Sequence, residues 1–156
     1  MTSGQVGPKL RKRVIICMKY KNVIFGLSMF TAIGTLLYWI LVFTGMFPLV
    51  EIVPGYIVWF QSFPLADFWI VIISALLAFA IKTNRNIMAT VCGLLSASSM
   101  IFLALNGLMF GINTGMICML TLDEIIEIAI KLYCLSVGAF YIRQFSRMIN
   151  RPLGVM

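Results

Sequence analysis

Residues 23–47 read VIFGLSMFTAIGTLLYWILVFTGMF and contain no charged side chain. A helix needs about 20 apolar residues to cross a hydrocarbon core ~30 Å thick, so this run can span a membrane with some tilt. It is too long for the apolar part of a signal peptide and lacks a small-x-small cleavage site near its end, so we expect a retained span. Basic residues precede the run and Glu51 follows it. The run therefore indicates both a membrane-spanning helix and, through the charges at its two ends, the orientation of that helix.

Three further apolar runs of similar character follow, at residues 65–81, 87–112 and 122–142. Lys82 and Arg85 separate the second run from the third, whereas Asp67 and Glu124 lie near the opposite ends of the second and fourth runs. Only Lys131 breaks this sorting of charge. Loops rich in Lys and Arg stay in the cytoplasm. The sequence therefore predicts an all-α integral membrane protein, a multi-pass bundle of four transmembrane helices in the cell membrane with both termini inside.

The composition of the chain also indicates that lipid is its solvent. The 156 residues are 62% hydrophobic and 11% charged, and the mean hydropathy is +1.03. A soluble domain of this size could not bury so much apolar surface. The formal net charge of +7 comes mainly from cations on one side of the spans. This placement indicates topology and argues against a nucleic-acid partner.

The basic residues divide the chain into a cytoplasmic arm (1–21), a transmembrane domain (22–142) and a basic tail (143–156). Cations beside an anionic leaflet are attracted by about 1 kcal/mol each, so we expect contact with anionic lipids on the cytoplasmic side. The simpler alternative is that the cations only anchor the topology. The residues concerned are Lys9, Arg11, Lys12, Arg13, Lys19, Lys21, Arg143, Arg147 and Arg151.

The connection between the first two spans, residues 48–64, is too apolar for a solvated loop and is interrupted by Pro54 and Gly55. Its aromatic residues are of the types that collect at the level of lipid headgroups. We expect an interfacial or re-entrant segment over the outer mouth of the bundle, acting either as a lipid anchor or as a lid. The aromatic residues concerned are Tyr56, Trp59, Phe60 and Phe63.

The fourth span contains a cluster of charged residues on one stripe of its helix. Glu124, Glu127 and Lys131 follow i, i+3, i+7 spacing. A charge inside a bilayer costs roughly 3 kcal/mol or more unless it is paired or hydrated. Because Glu127 and Lys131 are an i, i+4 pair in the favourable order, they can neutralise each other. The cluster is therefore either a structural ion pair or part of an ion or ligand path.

Two further polar residues are candidates for the same path. Asn106, in the outer half of the third span, needs a hydrogen-bond partner in lipid, and we expect Glu127 or Lys131 to supply it. Asp67, in the first turn of the second span, complements the helix dipole there. Its alternative role is to join Glu124 and Glu127 in an outward-facing acidic vestibule that concentrates cations.

A glycine ridge, Gly107, Gly111 and Gly115, runs through the outer end of the third span. Small residues four apart let helices approach closely, so the ridge is expected to pack within the bundle or to mediate a dimer.

Cys17, Cys92, Cys118 and Cys134 are scattered over different depths and form no C-x-x-C motif, so we expect neither a disulfide framework nor a metal site.

No catalytic motif occurs in the sequence, which contains no histidine. We therefore expect a non-enzymatic protein without cofactor that acts as a subunit or interaction partner in a membrane assembly, with other membrane proteins or a second copy as partners. The alternative is a small transporter or ion-conducting protein that uses the acidic and lysine cluster. A third hypothesis is an intramembrane binder of lipid or another hydrophobic ligand. An aqueous cavity that reaches Glu127 would favour transport, a dry bundle with exposed glycine ridges would favour a subunit, and a lipid-lined groove would favour the third hypothesis.

Overall fold

Four long helices form the bundle. The structure, a computed structural model, describes residues 20–47, 49–119 and 122–149, apart from the side chains of residues 122 and 123. Helices make up 84% of the described residues, and no strand occurs among them. The elements are α1 (Lys21–Phe43), α2 (Tyr56–Phe60), α3 (Pro64–Lys82), α4 (Asn86–Thr114), a 3-10 turn (Met116–Cys118) and α5 (Leu122–Ile149). α1, α4, α5 and the stretch joining α2 to α3 are long and apolar enough to cross a membrane, so the prediction of four potential spans is confirmed.

The helices pack in chain order, α1 on α3, α3 on α4 and α4 on α5. The first and last helices also meet, because Ser28 Oγ lies 2.9 Å from the Tyr141 hydroxyl and Thr31 Oγ1 lies 2.8 Å from the Tyr133 hydroxyl. Side chains from all four long helices fill the core; Leu77 is among them, and it is fully buried. The four helices therefore surround a shared interior.

Charge separates between the two ends of this bundle. Lys21 Nζ donates a hydrogen bond to Asn84 Oδ1 at 2.6 Å, which joins the start of α1 to the α3–α4 connection. Arg143 and Arg147 lie in the part of α5 that packs beside the start of α4. We call this the basic end. Glu51, Asp67, Glu124 and Glu127 lie toward the opposite end, which we call the acidic end.

Two helix boundaries differ from those expected. α1 ends at Phe43 instead of continuing to residue 47, because Gly45 adopts a left-handed conformation with φ +73°. α5 continues past residue 142 to Ile149, so the first part of the predicted tail is helical. The apolar run does stop near residue 142, but Phe145 still packs into the core and continues the buried face.

Glycines bring α4 and α5 into close contact. A Cβ atom added to Gly93 would lie 2.1 Å from the ring of Phe145, and one added to Gly138 would lie 2.7 Å from Ile101 Cγ1. These contacts leave no room for a methyl group. The antiparallel contact between α4 and α5 fixes which residues of α5 face the interior.

Candidate functional site

Lys131 lies between two carboxylates of its own helix. Its Nζ is 3.0 Å from Glu127 Oε2 and 3.6 Å from Glu124 Oε1. Glu124 is fully buried, and Lys131 is 7% exposed. The predicted Glu127–Lys131 pair is therefore present, and Glu124 joins it, so one short stretch of α5 supplies both carboxylates and their counter-charge.

Two glycines of α4 make room for this cluster. A Cβ atom at Gly107 would lie 3.1 Å from Lys131 Cε, and one at Gly111 would lie 3.8 Å from Glu124 Oε1. Gly107 thus faces α5 inside the bundle, whereas Gly111 lies closest to Ile117 of the 3-10 turn, at 3.1 Å from its Cγ1 atom. Gly115 differs from the prediction: it ends α4 with φ +72°, and a Cβ atom there would meet nothing within 4 Å. Gly115 therefore ends α4 through its left-handed conformation and does not pack against another of the described helices.

Asp67 connects α3 to α1. It lies in the first turn of α3, as expected for a residue that complements the helix dipole. Its side chain, however, is used across the bundle, because Oδ2 accepts a hydrogen bond from Trp39 Nε1 at 2.9 Å. Trp39 is almost fully buried.

The short helix α2 closes the acidic end of the bundle. Glu51 positions it, because its carboxylate accepts hydrogen bonds from the backbone N–H groups of Gly55 at 2.6 Å and Ile57 at 3.2 Å. Tyr56 is buried, and its hydroxyl donates a hydrogen bond to Glu127 Oε1. The aromatic segment is therefore packed on the helices and directly joined to the charged cluster.

Aromatic contacts hold α2 in this position. The Trp59 ring stacks on Phe110 of α4, with 4.0 Å between ring centroids and 10° between planes. Phe60 is buried beside Trp39, at 5.2 Å between centroids, and Phe63 contacts the edge of Trp59 at 4.6 Å. All four residues predicted for the aromatic segment thus lie in one cluster with residues of α1 and α4.

A cavity of about 390 Å³ lies beneath α2, with walls from all four long helices. Most of its lining is apolar, and aromatic rings from α1, α2 and α5 contribute to it. Asp67, Glu127 and Lys131 supply its charged groups. The cavity therefore brings together three charged residues that the sequence distributes over two spans.

The cavity opens between α1 and α5. The Thr31–Tyr133 hydrogen bond lies at its wall toward the basic end. Phe30 and Ile130 also line it and are 64% and 44% exposed, so the cavity reaches the surface of the bundle between them. A Cβ atom at Gly34, in the same wall, would meet nothing within 4 Å, so this glycine leaves space in the cavity.

Asn106 and Cys118 lie apart from the cavity. Asn106 is exposed on α4, and no hydrogen bond joins it to Glu127 or Lys131 in the described residues, so this expectation differs from the structure. Gly107, one residue further on, faces Lys131 instead. Cys118 is an exposed free thiol, whereas the free thiol of Cys134 lines the cavity.

Part of the basic arm and tail falls outside the described residues: Lys9, Arg11, Lys12, Arg13, Lys19 and Arg151.

Comparisons with known protein families, with curated proteins and with solved structures found no match to this chain. The function is therefore argued from the cavity and the groups around it.

Proposed function

We propose that this chain is a non-enzymatic intramembrane binding protein for a small, largely apolar molecule, which enters the cavity from the bilayer between α1 and α5. The observation that carries the proposal is the cavity itself. Its volume of about 390 Å³ lies in the range of roughly 300–1,000 Å³ that is typical of small-molecule sites. An apolar wall with a few convergent polar groups is also typical of such sites.

The proposal includes the placement of the chain in a cell membrane. The separation of charge supports a basic end in the cytoplasm and an acidic end outside. In this orientation α2 lies at the outer surface of the membrane, with its aromatic rings near the headgroups. The opening between Phe30 and Ile130 then faces acyl chains, from which a hydrophobic molecule can enter without crossing water.

Two other functions receive less support from the geometry. A structural subunit with an exposed glycine ridge is disfavoured because Gly107 is buried against α5 and Gly111 is buried beside the 3-10 turn. An ion path along the charged cluster is disfavoured because Lys131 already lies within ion-pair distance of both carboxylates of α5. A permeating cation would therefore have to displace the Lys131 ammonium group from the carboxylates.

Alkylation of the native cysteines by N-ethylmaleimide tests the proposal. Cys134 lines the cavity and Cys118 does not, so the second thiol is an internal control in the same molecule. Neopentylbenzene, an uncharged aromatic probe, should slow alkylation of Cys134 several-fold in the full chain in lipid–detergent micelles. Alkylation of Cys118 should not change. Peptide mass spectrometry measures both rates in one sample.

A matched pair of glycine substitutions locates the binding site. Gly26 and Gly34 both lie on α1, and a Cβ atom at either meets nothing within 4 Å, but only Gly34 lines the cavity. Gly34→Leu should remove the protection of Cys134, and Gly26→Leu should preserve it. Absence of protection in the unaltered chain, or equal protection of Cys118, would refute the proposed function.

A further inference from the structure

Carboxyl groups outnumber amino groups around the cavity. In their ionised forms, Asp67 and Glu127 contribute two negative charges to its wall and Lys131 one positive charge. Fully buried Glu124, beside Lys131, adds a third carboxylate to the surroundings. A bound anion would therefore meet an excess of negative charge, whereas a bound cation would reduce it.

Asp67 is the carboxyl group of this set that is placed to receive a ligand's charge. Within the described residues, no lysine or arginine side chain lies within ion-pair distance of Asp67. Trp39 donates one neutral hydrogen bond to it, through Oδ2. Glu127, by contrast, already contacts Lys131 and the Tyr56 hydroxyl.

Aromatic side chains line the cavity together with Asp67. Trp39 contacts Asp67 directly through the N–H edge of its ring, Phe60 packs beside Trp39, and Phe63 also lines the cavity. A cation is attracted to the face of an aromatic ring, and this attraction grows when both groups are removed from water. Aromatic rings are typical of sites that bind quaternary ammonium groups, and the Asp67 carboxylate would attract the charge of such a ligand.

Resting on the proposed function, we infer that the cavity binds a lipophilic organic cation, with the ammonium group toward Asp67 and the apolar body toward the opening between α1 and α5. An organic anion is a poor fit, because Lys131 is the only cation among the described lining residues and already lies between two carboxylates. An uncharged molecule would leave Asp67 without a counter-charge.

Three probes of similar size separate these ligand classes: benzyltrimethylammonium, its uncharged carbon isostere neopentylbenzene, and the anion phenylmethanesulfonate. Each is titrated against the alkylation of Cys134 in the full chain. Asp67→Asn keeps an oxygen that can accept the hydrogen bond from Trp39 but removes the carboxylate. It should raise the half-protecting concentration of the cation about tenfold, a factor that corresponds to about 1.4 kcal/mol.

The same substitution should leave protection by neopentylbenzene unchanged, which also shows that the variant is folded. Lys82→Gln is the control for removing a charge, because Lys82 is exposed at the basic end and does not line the cavity. It should change the protection by neither probe. Protection by the sulfonate equal to that by the cation, or an unchanged cation titration in Asp67→Asn, would overturn the inference while leaving the proposed function intact. Failure of neopentylbenzene to protect the unaltered chain would refute the proposed function itself.

Discussion

Replacing Lys131 by methionine would remove the ammonium group while keeping an unbranched stem against Gly107. Glu124 and Glu127 would then lose a counter-charge at 3.6 and 3.0 Å. With an effective dielectric constant of about 20, each of these contacts carries a Coulomb attraction of roughly 5 kcal/mol, which desolvation partly offsets. Removing one partner of a buried pair costs about 3–5 kcal/mol, so we expect Lys131→Met to lower the free energy of unfolding by about 4 kcal/mol.

Two further variants separate the effect of the lost charge on stability from the effect of replacing the lysine side chain. Lys131→Met combined with Glu124→Gln and Glu127→Gln leaves no ionised group in the cluster, so it should restore more than half of the lost stability. Lys82→Met changes the same residue type at an exposed position in the last turn of α3 and should alter stability by less than about 0.5 kcal/mol. Unfolding by sodium dodecyl sulfate in lipid–detergent micelles, followed by circular dichroism, measures all three differences.

The structure changes the design of this experiment. The spacing of Glu127 and Lys131 alone would suggest replacing only these two residues. Because Glu124 is fully buried and also lies beside Lys131, that double variant would still leave one carboxylate without its cation. If the triple variant is as unstable as Lys131→Met, uncompensated charge is not the cause of the loss, and the electrostatic explanation is refuted.

Two further predictions concern packing and topology. Gly93→Ala places a Cβ atom 2.1 Å from the buried Phe145 ring and should lower the free energy of unfolding by about 1–3 kcal/mol. In the same denaturation assay Gly26→Ala should be neutral or stabilising, because its Cβ atom meets nothing within 4 Å. Equal stability of the two variants would contradict the close packing of α4 on α5. A membrane-impermeant maleimide added to intact cells should label Cys118 directly and Cys17 only after permeabilisation, and the reverse pattern would invert the proposed orientation.

The sequence is sufficient to predict the four helices because their signals are local. Hydrophobic length and the alternation of charge can be read along each run without knowledge of its neighbours. The ends of α1 and α5, which the sequence does not predict, depend on backbone conformation and on contacts between helices. Gly45 ends α1 through a left-handed conformation within an apolar run, and Phe145 extends the buried face of α5 through a contact with Gly93 of another helix.

The cluster around Lys131 could be predicted in part for the same reason. The i, i+4 spacing within one helix fixes the contact with Glu127, whereas contacts between helices depend on how each helix is rotated. Asn106 and Gly107 are adjacent and therefore point about 100° apart, and the structure turns Gly107 toward Lys131. The sequence did contain a signal for this contact, since glycines four apart allow another helix to approach closely.

The hydrogen bond between Trp39 and Asp67 joins residues of successive spans, but no local pattern in the sequence specifies it. The same applies to the bond from Tyr56 to Glu127 and to the cavity that these pairs border. The aromatic residues of α2 suggest a location at headgroup level just as well as a packed cap, because aromatic side chains suit both environments. Only the three-dimensional packing distinguishes the two.

The arrangement of charge on α5 also bears on how the chain is assembled during synthesis. Helices enter the bilayer as they leave the ribosome, and an ionised side chain that lacks its counter-charge opposes entry. Lys131 carries its counter-charges on its own helix. The fourth span can therefore enter the bilayer already paired, and the charge of Lys131 does not depend on a segment that has yet to be made.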